Sequence, residues 1–129
     1  MNRIIILDEE LESQMRMYLA LCSRYRVEIA EDEATLMRMI RRKNPKLILL
    51  DANYSGFNNN GKSVHKTIQK IKKKYSTLKV VTILDRDDME LHRTATQEAS
   101  DAVLLRPVDE MNVLKRVREQ LSNAALAVN

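Results

Sequence analysis

A chain of 129 residues with a net charge of +4 is the size of one domain, with a core large enough to fold without disulfides or structural metal. Its single cysteine, Cys22, excludes an internal disulfide and a cysteine-based zinc site. Lysines such as Lys70, Lys72, Lys73 and Lys74 have no aromatic residues between them to stack bases, so a solvated helix face is expected there and no direct nucleic-acid binding.

In chain order, Arg3-Ile4-Ile5-Ile6-Leu7 is a short β-rich run that stops on Asp8, Glu9 and Glu10. It is too short for a signal peptide or a membrane span, so a cytoplasmic protein without membrane association is expected. Leu11, Met15, Leu19 and Cys22 recur at helical spacing and predict an amphipathic helix from about Glu10 to Ser23 with those residues inward. Cys22 on that stripe reads as a small core residue. Arg26 to Ala30 alternates like an edge strand, and Glu31-Asp32-Glu33 puts negative charge at the start of a helix striped by Leu36, Met37 and Ile40. Asn44-Pro45 ends that helix, because the residue before proline avoids helical angles.

Leu47-Ile48-Leu49-Leu50 then reads as a strand buried on both faces, ending abruptly on Asp51. The only two glycines, Gly56 and Gly61, lie in the loop that follows. Val64, Ile68, Ile71 and Tyr75 mark a third helix, Lys79 to Leu84 a fourth strand ending on Asp85, and Leu91, Ala95 and Ala99 a polar fourth helix. Ala102 to Leu105 is the fifth strand, closed by Arg106-Pro107. A final helix from about Asp109 turns Val113, Val117, Leu121 and Ala124 inward, and residues 123–129 are expected to fray. Five strand and helix alternations without a linker predict a single α/β domain over 1–129: a five-stranded parallel doubly wound sheet with helices on both faces, flavodoxin-like in topology.

Ligands in such sheets bind beyond the carboxyl ends of the strands, where Asp8, Glu9 and Asp51 are placed. Carboxylates held together repel unless a cation compensates, and magnesium suits the role because it takes oxygen ligands and keeps several waters. The backbone carbonyl of Asn53 could add a further oxygen ligand. Asp51 would then be free to act as a nucleophile on a phosphoryl group.

Leu7-Asp8-Glu9-Glu10, the lone Asp51 and Arg106-Pro107, in this order and spacing from Arg3 to about Ser122, closely resemble the receiver domain of bacterial two-component response regulators. The resemblance implies phosphorylation of Asp51 by a histidine kinase or phosphotransfer protein, with Mg2+ held by Asp8, Glu9, Asp51 and the Asn53 carbonyl. It implies signalling through protein contacts with an output protein or fused output domain, or as a homodimer, and no enzymatic turnover of its own. Several positions depart from the family pattern. Arg106 stands where the family has the lysine that pairs with the phosphoryl group, and arginine differs in size and reach. Leu84 falls, counting back from Arg106, on the switch hydroxyl, with Asp85 where a small residue is usual. Val103 falls on the switch aromatic. Tyr54-Ser55 replaces a frequent methionine and proline.

Those departures leave a second reading open: a degenerate receiver acting as a phosphate-independent interaction or dimerisation module, with Arg106 bridging to Asp51 in place of phosphate. A flavodoxin-like cofactor site or a phosphatase-type enzyme fits less well. Asn53, not an acid, lies two residues past Asp51, and an acidic mouth repels phosphate. By resemblance, partners would meet a face including His92, Arg93, Val103 and Lys115. His65 and His92 lack metal spacing, and Met15, Met37, Met89 and Met111 read as core filler.

Overall fold

The three inner strands bury nearly all their residues, and the two edge strands are partly open to solvent, so the middle of the sheet is the interior of the molecule. The computed structural model describes residues 1–59, 64–88 and 100–128. The strands are β1 (Arg3–Leu7), β2 (Arg26–Ile29), β3 (Leu47–Asp51), β4 (Lys79–Asp85) and β5 (Ala102–Arg106). They pair in parallel in the order β2-β1-β3-β4-β5, the doubly wound arrangement expected from the sequence. Helices α1 (Leu11–Leu21) and α5 (Glu110–Val128) cover one face; α2 (Glu33–Lys43), the short α3 (Ser55–Asn59) and α4 (Val64–Lys74) cover the other. Gly61, Met89, His92, Arg93 and the stripe of Leu91, Ala95 and Ala99 lie outside the described residues.

Period-2 alternation divides the core into two clusters. Ile5, Leu7, Ile48, Leu50, Val80 and Leu84 face Leu36, Ile40, Ile68 and Ile71 of α2 and α4. Ile4, Ile6, Leu47, Leu49, Val81, Ile83 and Leu104 face Met17, Leu21, Val113 and Val117 of α1 and α5. Helix α2 starts where Asp32 accepts the Thr35 N–H at 2.7 Å, and it ends with Asn44 in the left-handed region at φ 50°, where extended backbone is the usual choice before proline. The α5 backbone is helical to Val128.

Helix α1 corrects the expected stripe. Leu11 is 70% exposed, Leu19 58% and Met15 45%, and Cys22 is exposed at the helix end, so none of the four is core. The buried positions are Ser13, Met17 and Leu21. The two stripes have the same i, i+4, i+8 spacing but are offset by two residues, about 200° around the helix. Periodicity therefore could not choose between them, and a buried serine disguised the inner one. Met111 is likewise exposed rather than core filler.

In the β3–α3 connection the Tyr54 ring meets Phe57 edge to face, with centroids 5.2 Å apart. A Cβ at Gly56 would overlap that ring, lying 2.9 Å from Cζ of Tyr54. Gly56→Ala is expected to destabilise the domain by about 1–3 kcal/mol, as overpacking does, with urea unfolding as the measurement. An unchanged midpoint would mean that Tyr54 moves aside at no cost.

Candidate functional site

Strand parity decides which side chains meet at the carboxyl edge. Leu7, Leu50, Leu84 and Leu105 all face the α2/α4 side, so the next residue on each strand turns to the α1/α5 side. Those residues are Asp8, Asp51, Asp85 and Arg106. Leu7 pairs with Leu50 and Asp51 with Ile83, whereas Asp85 pairs with Arg106, so β4 and β5 run two residues past the level of Asp51 and Arg106 reaches back over Asp8 and Asp51. The Arg106–Pro107 peptide bond at this edge is cis.

Arg106 is the hub. Its guanidinium is 7% exposed and makes ion pairs with four carboxylates. Nη2 lies 2.5 Å from Asp8 Oδ1 and 3.1 Å from Asp51 Oδ2; Nη1 lies 3.0 Å from Asp85 Oδ1; Nε lies 3.2 Å from Glu10 Oε2. Asp8 and Asp51 are buried, whereas Glu10 and Asp85 are about half exposed and screened by water. Ser13, buried on α1, donates its hydroxyl to Asp8 Oδ2 and accepts from Arg106 Nε at 3.3 Å. Asp51 Oδ1 accepts the Asn53 N–H at 2.9 Å and Oδ2 the Glu9 N–H at 3.2 Å. The Asn53 amide donates to Asp85 at 3.1 Å.

Electrostatics follow from burial. Desolvation pushes the Asp51 carboxyl above its ordinary value, with Asp8 adding to the rise and the Arg106 charge and two backbone N–H groups opposing it. Burial alone would lower the Arg106 pKa, but Asp51 and Asp8 outweigh it and hold the guanidinium protonated.

Several expected site residues come together and others do not. Asp8, Asp51 and Arg106 converge. Glu9 does not join them: its carboxylate turns outward and accepts the Ser55 backbone N–H at 3.0 Å and the Ser55 hydroxyl. Leu84 is 1% exposed in the core, against which Val103 packs, so the β4 residue at the pocket is Asp85. Asp85 is bound to Arg106. Glu10 and Ser13 are not among the site residues that the sequence suggests, and Asp85 enters there only as a departure beside the switch position. Parity counted along β4 could have found Asp85, but nothing in the α1 pattern marks Ser13 as an inward polar residue.

The residues as arranged do not fit a magnesium ion. The ion needs near-octahedral oxygen ligands at about 2.0–2.1 Å. Here the oxygens of Asp8 and Asp51 converge on the guanidinium, and Glu9 is engaged elsewhere. Among the described residues, no three His, Cys, Asp or Glu side chains are disposed to share a metal.

No protein-family model matches the sequence, and no curated protein matches it. Solved structures do match. The N-terminal signal receiver domain of a two-component response regulator from Bacteroides fragilis is 25% identical, with a TM-score of 0.76 and 97% of each chain covered. The fold is that of response regulator receiver domains. A putative response regulator from Chloroflexus aurantiacus has a TM-score of 0.79 at 15% identity over 94% of this chain and 98% of its own. Brucella abortus NtrX has a TM-score of 0.81 at 18% identity over 98% of this chain, which spans only 28% of the NtrX chain. At those identities the latter two likenesses are of fold alone. Within this receiver fold, the pocket that the resemblance assigns to metal and phosphate is lined by Asp8, Asp51, Asp85 and Arg106. Among the described residues no helix is long and apolar enough to cross a membrane.

Proposed function

We propose that this receiver-type chain is a cytoplasmic signalling module that works through protein–protein contacts without phosphorylation. The observation that carries the reading is the Arg106–Asp51 ion pair at 3.1 Å. A nucleophilic carboxylate must turn an oxygen lone pair to phosphorus, and here Oδ2 is held by Arg106 and the Glu9 N–H while Oδ1 already accepts the Asn53 N–H, so an incoming phosphoryl group competes with the guanidinium for Asp51. The exposed apolar residues Leu11, Met15 and Leu19 along α1 offer a contact surface for a partner protein or a second copy. An output protein or a fused output domain remains the partner class, and the module turns over no substrate itself.

The second reading is phosphorylation of Asp51 by a histidine kinase, with Mg2+ on Asp8, Glu9, Asp51 and the Asn53 carbonyl. Its support is that Arg106 already stands beside Asp51, where a cation could meet phosphoryl oxygens. Leu84 and Val103 would then be its altered switch positions. Intact mass after incubation with magnesium and acetyl phosphate separates the two readings. The proposal expects no mass gain in the folded native protein and no difference from Asp51→Asn. A single phosphoryl gain in the native protein alone would sink it in favour of the second reading.

A further inference from the structure

The acidic pocket carries its own cation. Arg106 reaches it from the end of β5, and its planar fork touches carboxylates from the ends of β1 and β3 through Nη2, from β4 through Nη1, and from the β1–α1 turn through Nε. A lysine ammonium is a compact point charge and could not span these positions at once. Ser13 completes the arrangement, because its hydroxyl satisfies the second oxygen of Asp8 and accepts from the Nε–H that also faces Glu10. Glu9, the other half of the acidic pair, is committed to Ser55. Both buried carboxylates therefore share one positive charge supplied from within the chain.

We propose that the Arg106 guanidinium replaces the divalent ion of this pocket. It acts as an internal counterion that ties four strand ends together, and the native protein is indifferent to magnesium here. The inference rests on the phosphate-independent reading and adds to it a metal-independent pocket with a latent divalent site beneath the arginine. An ion approaching the Asp8 and Asp51 oxygens meets the guanidinium first, and like charges in a buried site repel strongly. Removing the guanidinium leaves two buried carboxylates facing each other, a hard-oxygen site that a divalent ion can enter.

The test is thermal unfolding of the native protein and of Arg106→Met, each in EDTA, in magnesium chloride and in potassium chloride of matched ionic strength, with Mn2+ water-proton relaxation reporting direct binding. The native protein is expected to unfold at the same temperature in all three buffers and to leave Mn2+ relaxation unchanged. Arg106→Met is expected to unfold earlier in EDTA and to recover by about 5 °C or more with magnesium but not with potassium, binding Mn2+ directly. Where Arg106→Met does not fold, Asp51→Asn combined with Arg106→Met removes one of the facing charges. That double variant is expected to fold and to bind Mn2+ more weakly than a carboxylate pair would, yet more strongly than the native protein.

Magnesium-specific stabilisation of the native protein, or Mn2+ binding to it that the arginine variants do not exceed, would overturn the proposal. These readouts do not involve phosphorus. A native protein that binds magnesium yet takes no phosphoryl group would refute the counterion role and leave the phosphate-independent reading standing.

Discussion

Arg106→Ala is expected to lower the unfolding free energy by about 3–5 kcal/mol at neutral pH in EDTA, the loss characteristic of a buried ion cluster deprived of one partner. The cost arises because Asp8 and Asp51 stay buried with no cation between them, not because the native cluster is itself worth that much. The deficit depends on pH, and its sign follows from Asp51. Its folded pKa is already raised above the ordinary carboxylate value of 3.8 by burial, so what protonation contributes to stability is present below that value and is lost as pH rises through the folded pKa. Arg106 works against the rise. Without it the folded pKa moves up further, and acid restores the variant over a wider range. Urea unfolding from pH 7 down to pH 4 should therefore show the gap between variant and native protein closing as pH falls. A constant gap would mean that the loss is one of packing by the arginine stem. The variant combined with Asp51→Asn should recover part of the loss at pH 7, since it removes one of the two opposed charges.

A second large effect separates the two stripes of α1. Met17→Ala is expected to cost about 2–5 kcal/mol, because Met17 is fully buried in the core cluster that α1 and α5 form with the sheet and its removal leaves a cavity. Met15→Ala, two positions earlier on the outward face, is expected to change stability by no more than about 0.5 kcal/mol. Denaturant midpoints of the two variants, measured side by side, decide which face is core. Equal losses would mean that Met15 is also covered, by a second copy or by chain packed on α1. A concentration-dependent midpoint for the native protein, removed by Leu19→Asp, would identify a second copy.

The apolar face of α1 and the closed pocket meet at one end of the molecule. Leu11 follows Glu10, whose carboxylate pairs with Arg106, and Ser13 links the first turn of α1 to Asp8. Docking on the outer face of α1 would therefore press on a helix whose inner face is fixed to the counterion. This is a route by which a partner contact could be tied to the pocket with no phosphate involved, and the Leu19→Asp comparison tests its surface half.

The fold was legible because its signals are local. Runs such as Ile4-Ile5-Ile6 and Ile48-Leu49-Leu50 can be satisfied only by burial on both sides, and their alternation with amphipathic helices leaves a parallel doubly wound sheet as the consistent solution. Strand ends on Asp8, Asp51 and Asp85 could be read in the same way, as could the arginine before Pro107. Which α1 stripe faces inward could not, because two faces of equal period differ only in what the sheet presents to them. Nor could the counting that placed Leu84 at the pocket, which used spacing along the chain where side-chain direction is set by the pleat and by the register of Asp85 with Arg106. Glu9 could not be separated from Asp8 by sequence, since both are acids at a strand end; it is the Ser55 N–H and hydroxyl, 46 residues on, that draw Glu9 away. The layers, the strand ends and the available charges follow from local pattern alone. That one guanidinium gathers Asp8, Asp51, Asp85 and Glu10 does not, because the contact depends on the relative height and facing of strands that are far apart in the chain.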